Sequence, residues 1–435
     1  MTGPTTQALL TDKYELTMVA AALGDGTAHR RTTFEAFARR LPDGRRYGVV
    51  AGTGRFLEAL TDFVFDESAL ASLAGFLDAA TLDYLRDFRF RGDVDGYAEG
   101  ELYFPGSPVL SVTGTFAECV VLETLALSIL NHDCAVASAA ARMVSVADRR
   151  PLIEMGSRRT HEQAAVAAAR AAYVAGFAAT SNLAAAQRYD LPALGTSAHA
   201  FTMVHTTTSG GTDDWEQAAF RAQVAALGVS TTLLVDTYDV HRGVANAIAA
   251  AGTGLGAVRI DSGDLGVLAR QVRRQLDELG ATGTKIVVSG DLDEYSIASL
   301  RADPVDSFGV GTSVVTGSGA PTAGMVYKLV EVDGLPVEKR SSHKASRGGR
   351  KAATRLSRPS GTVTEEVVHP IGVSPDGAPS RLLTAPLVRS GEVVARADLN
   401  AARDLAARGL RSLPWEGLAL SRGEPAIPTR QAVAR

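Results

Sequence analysis

The chain has 435 residues, too many for one small core, and its 46% hydrophobic and 21% charged residues exclude a disordered or fibrous protein. Lysine and arginine number 44 against 48 acidic residues, a net charge of −4 (44 − 48) that argues against a duplex nucleic-acid binder. Two cysteines, Cys119 and Cys134, exclude a disulfide scaffold and a cysteine-built zinc site.

The opening MTGPTTQALLTDKYE has neither the basic nor the apolar region of a signal peptide, and no run reaches the roughly 18 to 20 apolar residues of a membrane span. The expectation is a cytoplasmic protein with no membrane or nucleic-acid partner. Residues 12–23 read as a helix, with Asp12 and Glu15 as a capping box, Tyr14 in the first turn and Gly24 as the stop. Residues 32–51 look extended, 54–90 form short helices, and 90–115 form a small antiparallel sheet punctuated by Gly and Pro. Residues 116–131 and 135–148 read as two apolar core helices.

Near residue 150 the pattern changes. Short apolar runs end in polar, glycine-rich tips, each followed by a helical stretch: Leu152-Ile153 before Glu154-Met155-Gly156, Leu233–Val235 before Asp236, Ala257–Ile260 before Asp261, Ile286–Val288 before Ser289-Gly290-Asp291, and Phe308–Val310 before Gly311-Thr312. Apolar strands alternating with helices mean a parallel sheet covered on both faces, with ligands at the carboxyl ends of the strands. An irregular (β/α) barrel is favoured over an open sheet, because the glycine tips suited to phosphate fall on the last two strands. After Tyr327 antiparallel character returns, with a hairpin at Asp333-Gly334. A basic loop follows between His343 and Arg358, either solvated or an anion-binding flap; then come a helix at 397–411 and a peripheral tail. The expected organisation is an N-terminal α+β domain at 1–148, the barrel at 149–325, and a C-terminal segment at 326–435 packing back on the first domain to complete a second α/β domain.

Several tip residues suit chemistry. Gly290-Asp291 and Gly311-Thr312, on adjacent strands, let backbone N–H groups approach a phosphomonoester. Asp261 and Asp264 offer two carboxylates suited to Mg²⁺, or a helix cap. Arg259 lies inside a strand and needs an anionic partner, from a ligand or from Asp236 or Asp239. His199 follows small and hydroxyl residues, with acidic tips downstream able to orient its ring. The patterns of serine hydrolases, zincins and Walker NTPases are missing.

From about Leu9 to Lys351 the chain resembles the nicotinate phosphoribosyltransferase family, through LLTDKYELTM, EMGSRRTHEQAA, GFAATSNLAA, GTSAHAF, LLVDTYDV, RIDSGDL, VVSGDLDE and DSFGVGTS. The resemblance implies that nicotinate and phosphoribosyl pyrophosphate give nicotinate mononucleotide and pyrophosphate in NAD salvage. It further implies coupling to ATP hydrolysis through a phosphohistidine, Mg²⁺, and a homodimer with shared active sites. By motif, His199 is the phosphorylated residue, Asp236 orients its ring, and Arg259 contacts the pyridine. Asp261 then holds the ribose hydroxyls or Mg²⁺, with Asp264 as the second metal carboxylate. Gly290, Asp291, Gly311 and Thr312 take the 5-phosphate, Arg158 meets the pyrophosphate, and Tyr14 of the partner subunit stacks on the pyridine. Ser181 stands where nicotinamide-using relatives carry an aspartate, so the acid substrate is favoured. Two residues depart from the family pattern. Met155 replaces a stacking Phe, and Arg347 replaces a Pro in the flap near 341–351 that carries Lys344 and Lys351. The rival readings are a nicotinamide-using relative, a phosphosugar isomerase or aldolase barrel, and a non-catalytic phosphosugar sensor.

Overall fold

The computed structural model describes residues 6–340, 347–373, 375, 379–395 and 398–432. They divide into two compact units, one of residues 139–319 and one made from 1–138 with 320–435.

The 139–319 unit is built on six parallel strands: β1 (Leu152–Glu154), β2 (Ala179–Thr180), β3 (Thr232–Leu234), β4 (Ala257–Ile260), β5 (Lys285–Val288) and β6 (Ser307–Val310). Their order is β2-β1-β6-β5-β4-β3, and every pairing is parallel. The sheet stays open between β2 and β3, giving a curled half-barrel, the irregular barrel expected from the strand–helix alternation. Helices Glu162–Ala175, Val240–Ala251, Leu265–Glu278 and Glu294–Ser299 fill successive crossovers. Parallel strands need such crossovers, because a two-residue turn joins only antiparallel neighbours. The strands are short and buried almost throughout; within β4 the single half-buried position is Arg259. Gly243 lets the Val240–Ala251 helix close on β3, since a Cβ there would lie 2.1 Å from the Val235 carbonyl oxygen.

The other unit holds a seven-stranded antiparallel sheet in the order Leu335–Pro336, Met325–Val332, Arg31–Ala38, Leu110–Thr115, Asp93–Tyr97, Thr384–Arg389 and Glu392–Val393. Three N-terminal strands therefore form the middle of the sheet with C-terminal strands on both sides, and its core includes Phe34 stacked on Tyr327 at 4.9 Å. The hairpin at Asp333-Gly334 forms with both residues at positive φ, 50° and 78°, as a two-residue turn of this kind requires.

Four local expectations are corrected. The first helix runs Lys13–Asp25 and ends at Gly26, and Asp12 makes no side-chain cap. Glu15 is instead drawn inside, where its carboxylate accepts from Thr11 and from the Thr124 backbone at 2.9 Å. Residues expected as two helices are a short turn of helix, Phe116–Val120, and one long helix, Glu123–Val146. The polar His132-Asp133 pair does not break that helix, because Asp133 is buried and held by Arg55 at 2.8 Å. The C-terminal tail is also not merely peripheral: Thr429–Gln431 adds a parallel strand beside Val363–Pro370.

Candidate active site

The carboxyl ends of the parallel strands bring most of the expected residues together. Register explains how. Arg259 on β4 lies opposite Val287 on β5, and the two-residue side-chain period then sets Arg259, Asp261 and Ser289 on one face. Arg259 donates through Nε to Ser289 Oγ at 3.0 Å, through Nη1 to Thr196 Oγ1 at 2.6 Å, and through Nη2 to Asp261 Oδ1 at 3.1 Å. Ser289 also donates to Asp261 Oδ1. The guanidinium is thus fixed in a fork and only 13% exposed.

His199 begins the short helix His199–Met203. Its Nδ1 lies 3.2 Å from Thr237 Oγ1. Asp236, expected to orient the ring, serves another purpose: its Oδ2 accepts from the Asp261 N–H at 2.9 Å and the Ser262 hydroxyl at 2.7 Å. The β4 tip uses that acceptor for its first backbone N–H, and the adjacent hydroxyl of Thr237 lies beside the imidazole. The other oxygen, Asp236 Oδ1, is buried without a hydrogen-bond partner among the described residues.

The acidic tips divide into two kinds. Asp239, Asp264 and Asp293 cap the helices that follow them, Asp264 through Oδ1 to the Val267 N–H at 3.1 Å. Asp236 and Asp261 turn inward instead. Among the described residues no group of three or more His, Cys, Asp or Glu side chains is placed to hold a metal ion. Of the two carboxylates expected to hold Mg²⁺, Asp261 turns inward and Asp264 spends Oδ1 on its helix end, so a metal there would have to keep water and substrate oxygens as its remaining ligands.

At the next two tips the backbone dominates. Gly290 has φ +100°, and a Cβ there would lie 2.2 Å from the Asp261 carbonyl oxygen, so only glycine lets β5 turn against the β4 tip. Asp291 follows at φ +47° and is exposed. Gly311 and Thr312 open the short helix Thr312–Val315 beyond β6. Met155 is half-buried, its sulfur laid over Gly309, whose missing side chain makes the space. At the β1 tip the buried Glu154 ties strands together: Thr180 Oγ1 donates to it at 2.5 Å, and the Gly156 N–H also donates. Burial pushes its carboxyl above the ordinary value, opposed by those hydrogen bonds. Ser181 donates its N–H to the Glu154 carbonyl at 2.8 Å, which places this exposed residue beside the β1 tip. Arg158 is exposed and its guanidinium has no partner among the described residues.

Two expected residues belong to the other unit, and a third lies outside the described residues. Tyr14 belongs to the other unit, 46% exposed in the first turn of its helix, with its hydroxyl pushed up to about 12 by burial and then by Glu123. Lys351, expected in an anion-binding flap, is held in that same unit by the fully buried Glu35, with Nζ 2.8 Å from Oε2. A carboxylate with no water needs a cation, and this lysine supplies it. Lys344 lies outside the described residues. The residues that sequence reading missed are Thr196, Thr237 and Ser289. Thr237 follows Asp236, Ser289 precedes Gly290 and Thr196 lies three residues before His199, and for Ser289 the two-residue period from Val287 was the available signal.

A half-barrel whose strand tips gather a histidine, a forked arginine, two inward carboxylates and two glycine turns defines an α/β enzyme for a small phosphorylated, anionic substrate. Comparison with known proteins makes this specific. Residues 9–131 match the nicotinate phosphoribosyltransferase (NAPRTase) N-terminal domain, and residues 151–364 match the nicotinate phosphoribosyltransferase (NAPRTase) family. The chain is 74% identical over 423 residues to nicotinate phosphoribosyltransferase pncB1 of Mycobacterium tuberculosis, covering 97% of this chain and 94% of the relative. It is 38% identical over 370 residues to the Bacillus subtilis nicotinate phosphoribosyltransferase, covering 80% and 73%. The crystal structure of human nicotinic acid phosphoribosyltransferase superposes with a TM-score of 0.85 at 26% identity, covering 97% of each chain. The chain belongs to the nicotinate phosphoribosyltransferase family.

Proposed function

We propose that the strand-tip cluster of the half-barrel is the catalytic centre of an ATP-dependent nicotinate phosphoribosyltransferase. The enzyme joins nicotinate to 5-phosphoribosyl 1-pyrophosphate, releasing pyrophosphate and nicotinate mononucleotide for NAD salvage. The observation that carries the site assignment is the locked Arg259 fork, which points to an anionic flat ligand between β4, β5 and the Thr196-Ser197 segment.

Arg259 supplies a charge-assisted hydrogen bond to the substrate carboxylate, and Ser181 adds no negative charge to repel it. Asp261, held from two sides, takes the ribose hydroxyls. The Gly290-Asp291 and Gly311-Thr312 tips take the 5-phosphate through backbone N–H groups. In the reaction the bond from ribose C1 to the pyrophosphate oxygen breaks early and the pyridine nitrogen bonds to C1 from the opposite face. Arg158 stabilises the departing pyrophosphate, and Mg²⁺, held by Asp261 and Asp264, supplies charge neutralisation there when bound. His199 accepts the γ-phosphoryl of ATP on an imidazole nitrogen as ADP leaves, and water later removes it as phosphate. The protein works in the cytoplasm as a homodimer in which Tyr14 of the partner subunit stacks on the pyridine. Its half-exposed position at a helix start supports that reading.

The test is His199→Ala incubated with Mg-ATP labelled at the γ-phosphate. The wild-type chain acquires an acid-labile label and the variant acquires none, with ATP coupling lost. A variant that is still labelled and still coupled would refute the assignment.

A further inference from the structure

The two phosphate-type tips, Gly290-Asp291 and Gly311-Thr312, stand on neighbouring strands, but each is a loop end. Their separation needs some other fixture, and the turn after the second tip provides one. Gly317, Ser318 and Gly319 all have positive φ, at 64°, 50° and 82°. A non-glycine residue in this region is strained, and its retention between two glycines calls for a reason in the side chain. Ser318 donates its hydroxyl to Glu294 Oε2, while its N–H bonds to the Ser313 carbonyl at 2.6 Å. Glu294 is the first residue of the helix that follows the Gly290-Asp291 tip. Its other oxygen accepts from Arg142 Nε at 2.9 Å, and both side chains are about 95% buried or more, at 5% and 3% exposure. Arg142 also reaches the Tyr295 hydroxyl at 3.3 Å.

We infer that Ser318, Glu294 and Arg142 form a brace that sets the spacing of the two tips for the ribose 5-phosphate. Ser318 is then a positioning residue that acts on phosphoribosyl pyrophosphate without touching it. This rests on the reading that the two tips bind that phosphate. A single phosphate bridging two loops requires both sets of N–H groups at hydrogen-bond distance together, so a small slip at either one weakens binding.

The test uses Ser318→Gly and Ser318→Ala. Glycine removes both the hydroxyl and the strain; alanine removes the hydroxyl and keeps the strain. The brace predicts that both raise KM for phosphoribosyl pyrophosphate by about three- to tenfold, a part of what a hydrogen bond to a charged carboxylate is worth. KM for nicotinate stays unchanged, and only the alanine variant loses thermal stability. Effects that follow Tm, with Ser318→Gly at wild-type KM, would overturn the brace. Thr312→Pro checks the underlying reading, because it removes a tip N–H at the first helical position, where proline is tolerated. Normal affinity for ribose 5-phosphate in Thr312→Pro would refute the phosphate site itself. Weakened affinity there, with a normal Ser318→Gly, would refute the brace alone.

Discussion

Arg259→Ala removes the cation on which substrate choice depends. In the folded chain this guanidinium is 13% exposed and fixed by hydrogen bonds to Ser289, Thr196 and Asp261, so no rearrangement is needed to receive a carboxylate. A charge-assisted hydrogen bond of that kind is worth about 1.5 to 3 kcal/mol, which converts to roughly tenfold to 150-fold in kcat/KM for nicotinate. Nicotinamide carries no charge and loses much less, so the nicotinate-to-nicotinamide ratio of kcat/KM falls by about the same factor. Arg259→Lys keeps the charge but not the planar fork, and falls between the two. The assay is initial rates on each substrate with saturating phosphoribosyl pyrophosphate and ATP. Part of any stability loss comes from Asp261 left without its cation, and that part is small because Asp261 is one-third exposed at 33%. Arg259→Ala with an unchanged ratio would refute the argument, whatever happens to the absolute rates.

Other perturbations test the frame around the site. Glu216 is buried, with Oε1 lacking a partner among the described residues and Oε2 accepting from Asn246 at 2.8 Å; burial pushes its carboxyl up to about 7, with smaller contributions from Asp213, Asp239 and Asp236. Its protonated form is the one the fold favours, so stability is fully present below the unfolded value near 4.5 and is lost as pH rises toward about 7. Glu216→Gln should make Tm fall less steeply across that window than in the unsubstituted chain; an unaltered slope would contradict it. Lys351→Ala strands Glu35 in the core, whose carboxyl burial already pushes up against the lowering effect of Lys351. It should cost about 3 to 5 kcal/mol in urea unfolding, leaving KM for phosphoribosyl pyrophosphate unchanged, and a large KM effect without destabilisation would restore Lys351 to the substrate site. Cys119 and Cys134 are buried thiols raised by desolvation, Cys119 to about 12. Both should resist a thiol reagent in the native protein and react on unfolding.

Much of the half-barrel was legible because buried parallel strands are apolar along their length and their tips are not. β1, β3, β4, β5 and β6 stood out in this way. β2 did not, since Ala179–Thr180 is two residues long and has no period to read. The helical pattern breaks at 132–134, where His132-Asp133 interrupts the apolar run; what keeps the helix continuous is a partner, Arg55, distant in sequence. The same limit governs the site. Motif order identified His199, Arg259 and Asp261, but not that Asp236 is bonded to the β4 tip while Thr237 lies beside the imidazole. That is settled by the register of β3 against β4, not by any local pattern. Lys351 illustrates the converse: it has the right chemistry for an anion ligand, yet it is engaged by a structural need of its own, a buried carboxylate.

The most direct test of the central claim is mass spectrometry of small molecules and protein after the chain is mixed with nicotinate, nicotinamide, phosphoribosyl pyrophosphate and Mg-ATP. Nicotinate mononucleotide and pyrophosphate should accumulate, with ADP and a phosphoryl mass on the tryptic peptide that contains His199. Nicotinamide mononucleotide as the main product, or nucleotide formed with no phosphorylated peptide and no ATP consumed, would contradict the account.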